Sequence, residues 1–212
     1  MKNNWIAICN LFFVQIRMQK RMSSHGDYDY MGSSINLIDN FNIENVIFNI
    51  GTYNELEKDL IKILKEKNIK YYKDIKELNI NDSKLYFLNT GIYDNENDDS
   101  NVIYFKLNNY KFLFMGDAGK KRKIDIIRKH NIKNIDFLKV GHHGSNTSSN
   151  KEFINTIKPK YSVISVGKNN RYGHPNKEVL NNLDNSKIYR TDINGEIQIK
   201  IIRNNFSIKT CK

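Results

Sequence analysis

Cysteine occurs only twice in this chain of 212 residues, at Cys9 and Cys211, which excludes a disulfide framework and any multi-cysteine zinc site. Long apolar runs are missing as well. No stretch reaches the roughly 18 consecutive apolar residues that a membrane-spanning helix requires, so no transmembrane segment is expected. Acidic residues are outnumbered, 23 against 34 Lys and Arg, which leaves a net charge of +11. That excess suits a polyanionic partner or substrate, such as nucleic acid, a phosphodiester or an acidic surface, and equally the plainer reading of solvated lysines. No internal repeat or inter-domain linker is visible, and the length suits one domain.

The N-terminal segment differs from the rest. Trp5 to Ile16 is apolar but is interrupted by Asn10 and Gln15, and Arg17, Lys20 and Arg21 follow it. Only Lys2 precedes it and no small-residue cleavage site comes after, so a core element or a leader is expected rather than a signal peptide. The expected organisation is an atypical apolar and basic leader over residues 1–22 and one domain over 23–212. A cytoplasmic location is the default expectation.

Hydrophobic periodicity then alternates between strand and helix. Strands are expected at Asn45 to Asn49, Lys84 to Asn89, Ile135 to Val140 and Tyr161 to Val166. Val102 to Leu107 and Lys111 to Met115 form a hairpin, and Glu196 to Ile202 with Phe206 to Lys209 form a closing one. Helices start at two capping-box spacings, Thr52-x-x-Glu55 and Ser149-x-x-Glu152. A further helix starts at Pro175 and runs to about Leu183. Ile124, Ile126 and Ile127 belong to a basic helix that begins with the run Lys120-Lys121-Arg122-Lys123, which reads either as a solvated helix start or as a basic surface for a phosphodiester such as DNA. This mixture is α/β (α+β) with layered sheets.

Only five histidines are present, and four of them lie in loops rich in Gly, Ser, Asn and Asp. His130, on a charged helix end, reads as a solvated surface residue. His25, Asp27 and Asp29 stand at i, i+2 and i+4 in a loop that ends at Gly32, an arrangement able to converge on a cation. Asp117 follows an apolar strand and Gly116, at the carboxyl end where sites in α/β sheets collect; a helix N-cap is the plainer role. His142 and His143 sit between glycines after a buried strand, which suits a ligand or acid–base role better than packing. His174 closes a polar loop in which Lys168 and Arg171 are available to anions. Together these loops point to dinuclear metal hydrolysis.

The segment His25-Gly-Asp-Tyr-Asp-Tyr-Met-Gly32 resembles the H-x-D-x-D-H-x-G motif of metallo-β-lactamase-fold hydrolases. FLFMGDAG, DFLKVGHHGSNTSS, KPKYSVISVGKNNRYGHP and YRTDINGEIQI are similar to later motifs of one branch. That branch is the soluble domain of ComEC-type DNA-internalisation competence proteins and their stand-alone relatives. The resemblance runs from about Ser24 to the C-terminus. It implies an αββα sandwich with two metals at one edge, lacking part of the first sheet. His25 and Asp27 would hold one metal, Asp29 the second, and Asp117 would bridge them. His142, or else His143, would complete the first site. His174 would reach the second site or the leaving oxygen, and Asp29 or a histidine would handle the proton. His143, Ser145, Asn170 and Arg171, with the turn Asp99-Ser100-Asn101, would neighbour the substrate. Zinc (Zn2+) suits the histidines and manganese (Mn2+) the three aspartates.

Two departures from the family pattern stand out. Tyr30 occupies the position of the motif's second histidine, and a phenol with a pKa near 10 must lose its proton to bind well. The second metal is therefore expected to be weak. Only 24 residues precede His25, where the family places several strands, and residues 18–22 are polar and basic. Either residues 1–22 stand in for those strands or the product is shortened. Two functions follow: a metal-dependent phosphodiester hydrolase, or a degenerate, non-catalytic member that retains metal or DNA binding.

Overall fold

The computed structural model describes residues 5–8, 12–14, 20–22, 34–40, 43, 45–80 and 83–211. Strands among them are β1 (Trp5–Ile8), β2 (Phe12–Val14), β3 (Lys20–Met22), β4 (Asn45–Ile47), β5 (Lys70–Tyr72), β6 (Glu77–Ile80) and β7 (Ser83–Phe87). They continue as β8 (Ile103–Leu107), β9 (Tyr110–Phe114), β10 (Phe137–Lys139), β11 (Tyr161–Ile164), β12 (Lys187–Arg190), β13 (Glu196–Ile202) and β14 (Asn205–Cys211).

A seven-stranded sheet has the order β12-β11-β10-β9-β8-β7-β6. Its β6 to β9 half is antiparallel and its β9 to β12 half is parallel. Two smaller sheets face it, β14-β13-β1-β2 and the parallel β3-β4-β5. Side chains alternate across a strand with period two, and the burial follows that rule. Phe112, Phe114, Phe137 and Val163 pack between the sheets against Ile47 of β4 and Ile197, Ile199 and Ile201 of β13. Their neighbours Leu113, Met115, Leu138 and Ile164 face the other way, onto Ile126, Phe153, Ile157 and Val179 of three helices.

Those helices are Lys120–Lys129, Lys151–Ile157 and Lys177–Asn182. On the far side, Val46 and Phe48 pack on Ile38, Leu60 and Leu64 from helices Ser34–Asn40 and Glu55–Glu66. Helix, sheet, sheet and helix therefore succeed one another, the expected αββα order. Aromatic rings fill the middle: Phe105, Phe112, Phe137 and Tyr161 stack strand to strand at 4.7 to 5.2 Å, and Phe206 meets Phe137 and Tyr161 edge-on. Offset and edge-on contacts of this kind add to simple area burial. No helix among the described residues is long and apolar enough to cross a membrane.

Local chemistry departs from expectation in three places. The capping box lies two residues further on, where the Asn54 side chain accepts from the Glu57 amide and the Glu57 carboxylate from the Asn54 amide. Asn54 also donates to Glu96, which selects this frame over the Thr52 one. Helix Lys151–Ile157 starts after Asn150 without a side-chain cap, so the Ser149 box does not form. The Lys120–Lys123 run is neither a solvated helix start nor wholly a surface for DNA, because Arg122 and Lys123 are each 0% exposed.

Arg122 donates to the carbonyls of Gly91 and Leu88 at 3.1 and 3.3 Å and lies 5.1 Å from the centre of the Tyr93 ring. It thereby fixes the irregular segment between β7 and β8. His130 is half-buried, with its Nε2 enclosed and unpartnered, so burial lowers its pKa and it is not a solvated residue. Arg122→Ala strands the buried Leu88 carbonyl and frees the exposed Gly91 one; a stranded buried carbonyl costs about 1–3 kcal/mol, so a loss of about 2 kcal/mol is expected in denaturant unfolding. Arg122→Lys recovers only part of it, because one ammonium cannot span both acceptors.

Candidate metal centre

Parallel strands deliver their carboxyl ends to one edge, which is why loops there can share a site. β9 runs into Gly116 and Asp117, β10 into His142 and His143, and β11 into the loop that ends at His174.

Asp117 is 3% exposed and does not cap a helix, since Gly119 holds the N-cap position of Lys120–Lys129. Its amide donates to the Ser100 hydroxyl at 3.0 Å, and its Oδ1 accepts from the His142 amide at 3.1 Å. Its Oδ2 lies 3.9 Å from His142 Nε2. Asp98 steadies the next turn, its Oδ1 accepting from the Gly119 amide at 2.6 Å. A Cβ on Gly51 would come within 2.4 Å of Asp99 Oδ2, and one on Gly141 within 2.8 Å of the Gly116 carbonyl. Both glycines are needed for close approach: the first brings the end of β4 onto the Asp98–Asn101 turn, the second seats the histidine loop on the Asp117 loop.

The histidine loop is backbone-strained. His142 and His143 have φ of 46° and 52°, the left-handed region that side chains with a Cβ seldom occupy, and Gly144 follows at 81°. Strain of this sort persists only where surrounding bonds over-determine it, and it clusters at functional sites. Here the His142 amide bonds Gly116 and Asp117, the Ser145 amide bonds the His142 carbonyl, and the Asn176 amide bonds Gly144. His143 Nδ1 lies 2.8 Å from the Ser165 carbonyl, so this nitrogen carries the proton and Nε2 the lone pair. An imidazole oriented through a carbonyl in this way is the usual second contact of a metal-binding histidine.

His174 completes the edge. Its ring centre lies 6.1 Å from that of His142, and the carboxamide of Asn170 bonds both its amide and its carbonyl at 2.7 Å. Burial, then the neighbouring His142 and His143, lower its pKa below the ordinary histidine value, which favours the neutral, lone-pair form. Ser145 is buried, and its hydroxyl turns to Asn146 and Thr147 of its own loop. Arg171 is exposed beside Tyr172.

His25, Asp27, Asp29 and Tyr30 lie outside the described residues. β3 ends at Met22, level with Ile47 on the parallel strand β4, and β4 leads to Gly51 beside Asp99. Among the described residues no three His, Cys, Asp or Glu side chains form a group that would hold a metal by themselves. Asp117, His142 and His174 lie along one edge without closing into such a group, a carboxylate and two imidazoles of the kind that would suit zinc or manganese once further ligands join them.

The burial of two lysines near Asp117 is not apparent from the sequence. Lys123 Nζ donates to the Ala118 carbonyl beneath the Asp117 loop, and burial pulls its pKa down to about 7 despite Asp98 and Asp117. Lys139 of β10 is likewise pulled down to about 8 by burial, with Asp117 opposing. Asn49, after β4, is 1% exposed with both carboxamide atoms unpartnered. Nothing in their local sequence marks these three residues out, since their burial comes from the packing of other segments.

A metallo-beta-lactamase superfamily model matches residues 23–168. The chain is 31% identical over 186 residues to ComE operon protein 3 of Bacillus subtilis (strain 168), covering 84% of this chain and 24% of that protein. It is 38% identical over 95 residues to competence protein ComA of Neisseria gonorrhoeae, covering 43% of this chain and 14% of that one. The chain thus spans about a quarter or less of the length of these relatives. Among solved structures, the CmlA beta-hydroxylase E377D mutant superimposes with a TM-score of 0.58 at 9% identity, over 88% of this chain and 45% of that chain. That likeness concerns the fold alone.

A lysine whose folded pKa lies below its unfolded value binds fewer protons when folded, so stability rises with pH between the two values. From pH 7 to 9 the metal-free protein should become more stable, each such lysine contributing at most about 1.4 kcal/mol per pH unit. Lys123→Met should flatten that rise in urea unfolding at a series of pH values.

Proposed function

We propose a function from one premise: the chain belongs to the metallo-beta-lactamase superfamily. It is a metal-dependent hydrolase, and its substrate is a phosphodiester, with DNA as the substrate class. The observation that carries the reading is the placement of Asp117, His142 and His174 along one sheet edge, each on a different loop and each with its backbone amide hydrogen-bonded.

Asp117 and His142 would hold the first metal together with His25 and Asp27. Asp29 would hold the second, with Asp117 between the two. Zinc or manganese, when bound, lowers the pKa of water towards neutrality and takes up charge on the attacked phosphoryl oxygen. Asp117 keeps its carboxylate directed at that edge because its own amide is tied to Ser100 and its Oδ1 to the His142 amide. His174, biased to the neutral form, or Asp29 accepts the proton that the attacking water releases. His143, its ring oriented by the Ser165 carbonyl, would neighbour the substrate in the same loop. Exposed Lys120, Lys121, Lys168 and Arg171 supply a cationic rim for a polyanion, without the buried Arg122 and Lys123.

Turnover of bis(p-nitrophenyl) phosphate with added zinc or manganese tests the reading. Asp117→Asn should lower turnover at least a hundredfold while leaving the protein folded, and binding to a DNA oligonucleotide should weaken steeply with salt. Tyr30→His should raise metal-supported turnover by restoring an imidazole at the second site. No turnover in the wild type and no gain in a folded Tyr30→His protein would favour a non-catalytic family member that binds metal or DNA.

A further inference from the structure

Beyond the metal edge, the loop Gly167–Pro175 carries a feature that the hydrolytic reading does not use. Tyr172 is 67% exposed although two side chains flank it. His174 stacks beside it with ring centres 5.9 Å apart and planes at 23°, and the Arg171 guanidinium lies 4.9 Å from the ring centre, donating to the phenol oxygen at 2.7 Å. His142, His174 and Tyr172 therefore form a file of rings leading outward from Asp117.

The loop that holds this ring is fixed. Asn170 bonds Gly167 and both backbone groups of His174, while Pro175 sits against Gly144, where an added Cβ would come within 2.6 Å of Pro175 Cβ. An exposed tyrosine on a free-swinging loop would be unremarkable. One held at a set distance from a candidate phosphodiester site, with a guanidinium against it, is placed for a ligand with both a flat π-face and a phosphate.

We infer that Tyr172, with Arg171 beside it, is a stacking shelf for an unpaired nucleobase whose phosphate reaches the His142–His174 edge. The inference rests on the proposed phosphodiesterase reading and narrows its substrate class to single-stranded nucleic acid. A base inside a duplex has both faces covered by its neighbours, so only an unpaired or terminal base can use the shelf. Because every base has a π-face, the shelf selects strandedness and not sequence.

The test compares binding of 5′-labelled phosphorothioate dT10 with that of an abasic phosphorothioate strand of the same length and charge, on the full chain. Wild type should bind dT10 about tenfold more tightly than the abasic strand. Tyr172→Ala should bring that ratio to one through dT10 alone, and Tyr172→Phe should keep it. A wild-type ratio of one, a ratio unchanged in Tyr172→Ala, or no binding of dT10 would overturn the inference. Cleavage of phosphodiester dT10 is scored separately. A protein that shows the base-dependent binding and does not cleave keeps the shelf and loses the hydrolase reading.

Discussion

A carboxylate has to be held at a sheet edge with its backbone pinned, and the rest of the site is arranged around that requirement. The loop after β9 satisfies it with bonds from three directions: Ser100 from the β7–β8 connection, His142 from the loop after β10, and Lys123 from the helix below. The cations under this loop cannot be hydrated, so they take carbonyls from Leu88, Gly91 and Ala118 and lie near Asp98 and Asp99. Burying a charge is tolerable only with such partners. The long polar connection between β7 and β8 is thereby bound into the site's floor.

Sheet topology supplies the rest. Only the parallel half of the large sheet, β9 to β12, places successive strand ends side by side, and it is that half that carries Asp117, the histidine pair and the loop of His174. The antiparallel half contributes core and the supporting connection. The strain at His142 and His143 turns two adjacent imidazoles to different tasks. One lies by Asp117, and the other is oriented by the Ser165 carbonyl. A fold shared with a beta-hydroxylase shows that this scaffold does not dictate one chemistry, so the function has to be argued from the edge itself.

Much of this was legible in the sequence because its signals are local. Apolar runs ending in Gly-Asp or Gly-His-His mark strand ends, and the unbroken apolar run Phe112 to Met115 is the pattern of a strand buried on both faces. What was not legible depends on distant partners. Lys and Arg are seldom buried, so Lys120 to Lys123 read as one solvated run. In the fold Arg122 and Ile126 share a helix face one turn apart and both point inward. Two overlapping frames satisfied the capping-box spacing near residue 54, and the contact from Asn54 to Glu96 chose between them. The shelf at Tyr172 had no sequence signature, since exposure and stacking belong to the folded loop.

The central claim is that Asp117 and His142 are two of the ligands of a metal centre completed by His25, Asp27 and Asp29. The most direct measurement is the zinc and manganese content of folded, untagged protein, purified without chelator, for wild type and Asp117→Ala. The account predicts at least one tightly held equivalent per wild-type chain, lost in the variant, with a second held more loosely because Tyr30 replaces an imidazole. A folded wild-type protein that takes up neither metal when both are supplied would contradict it.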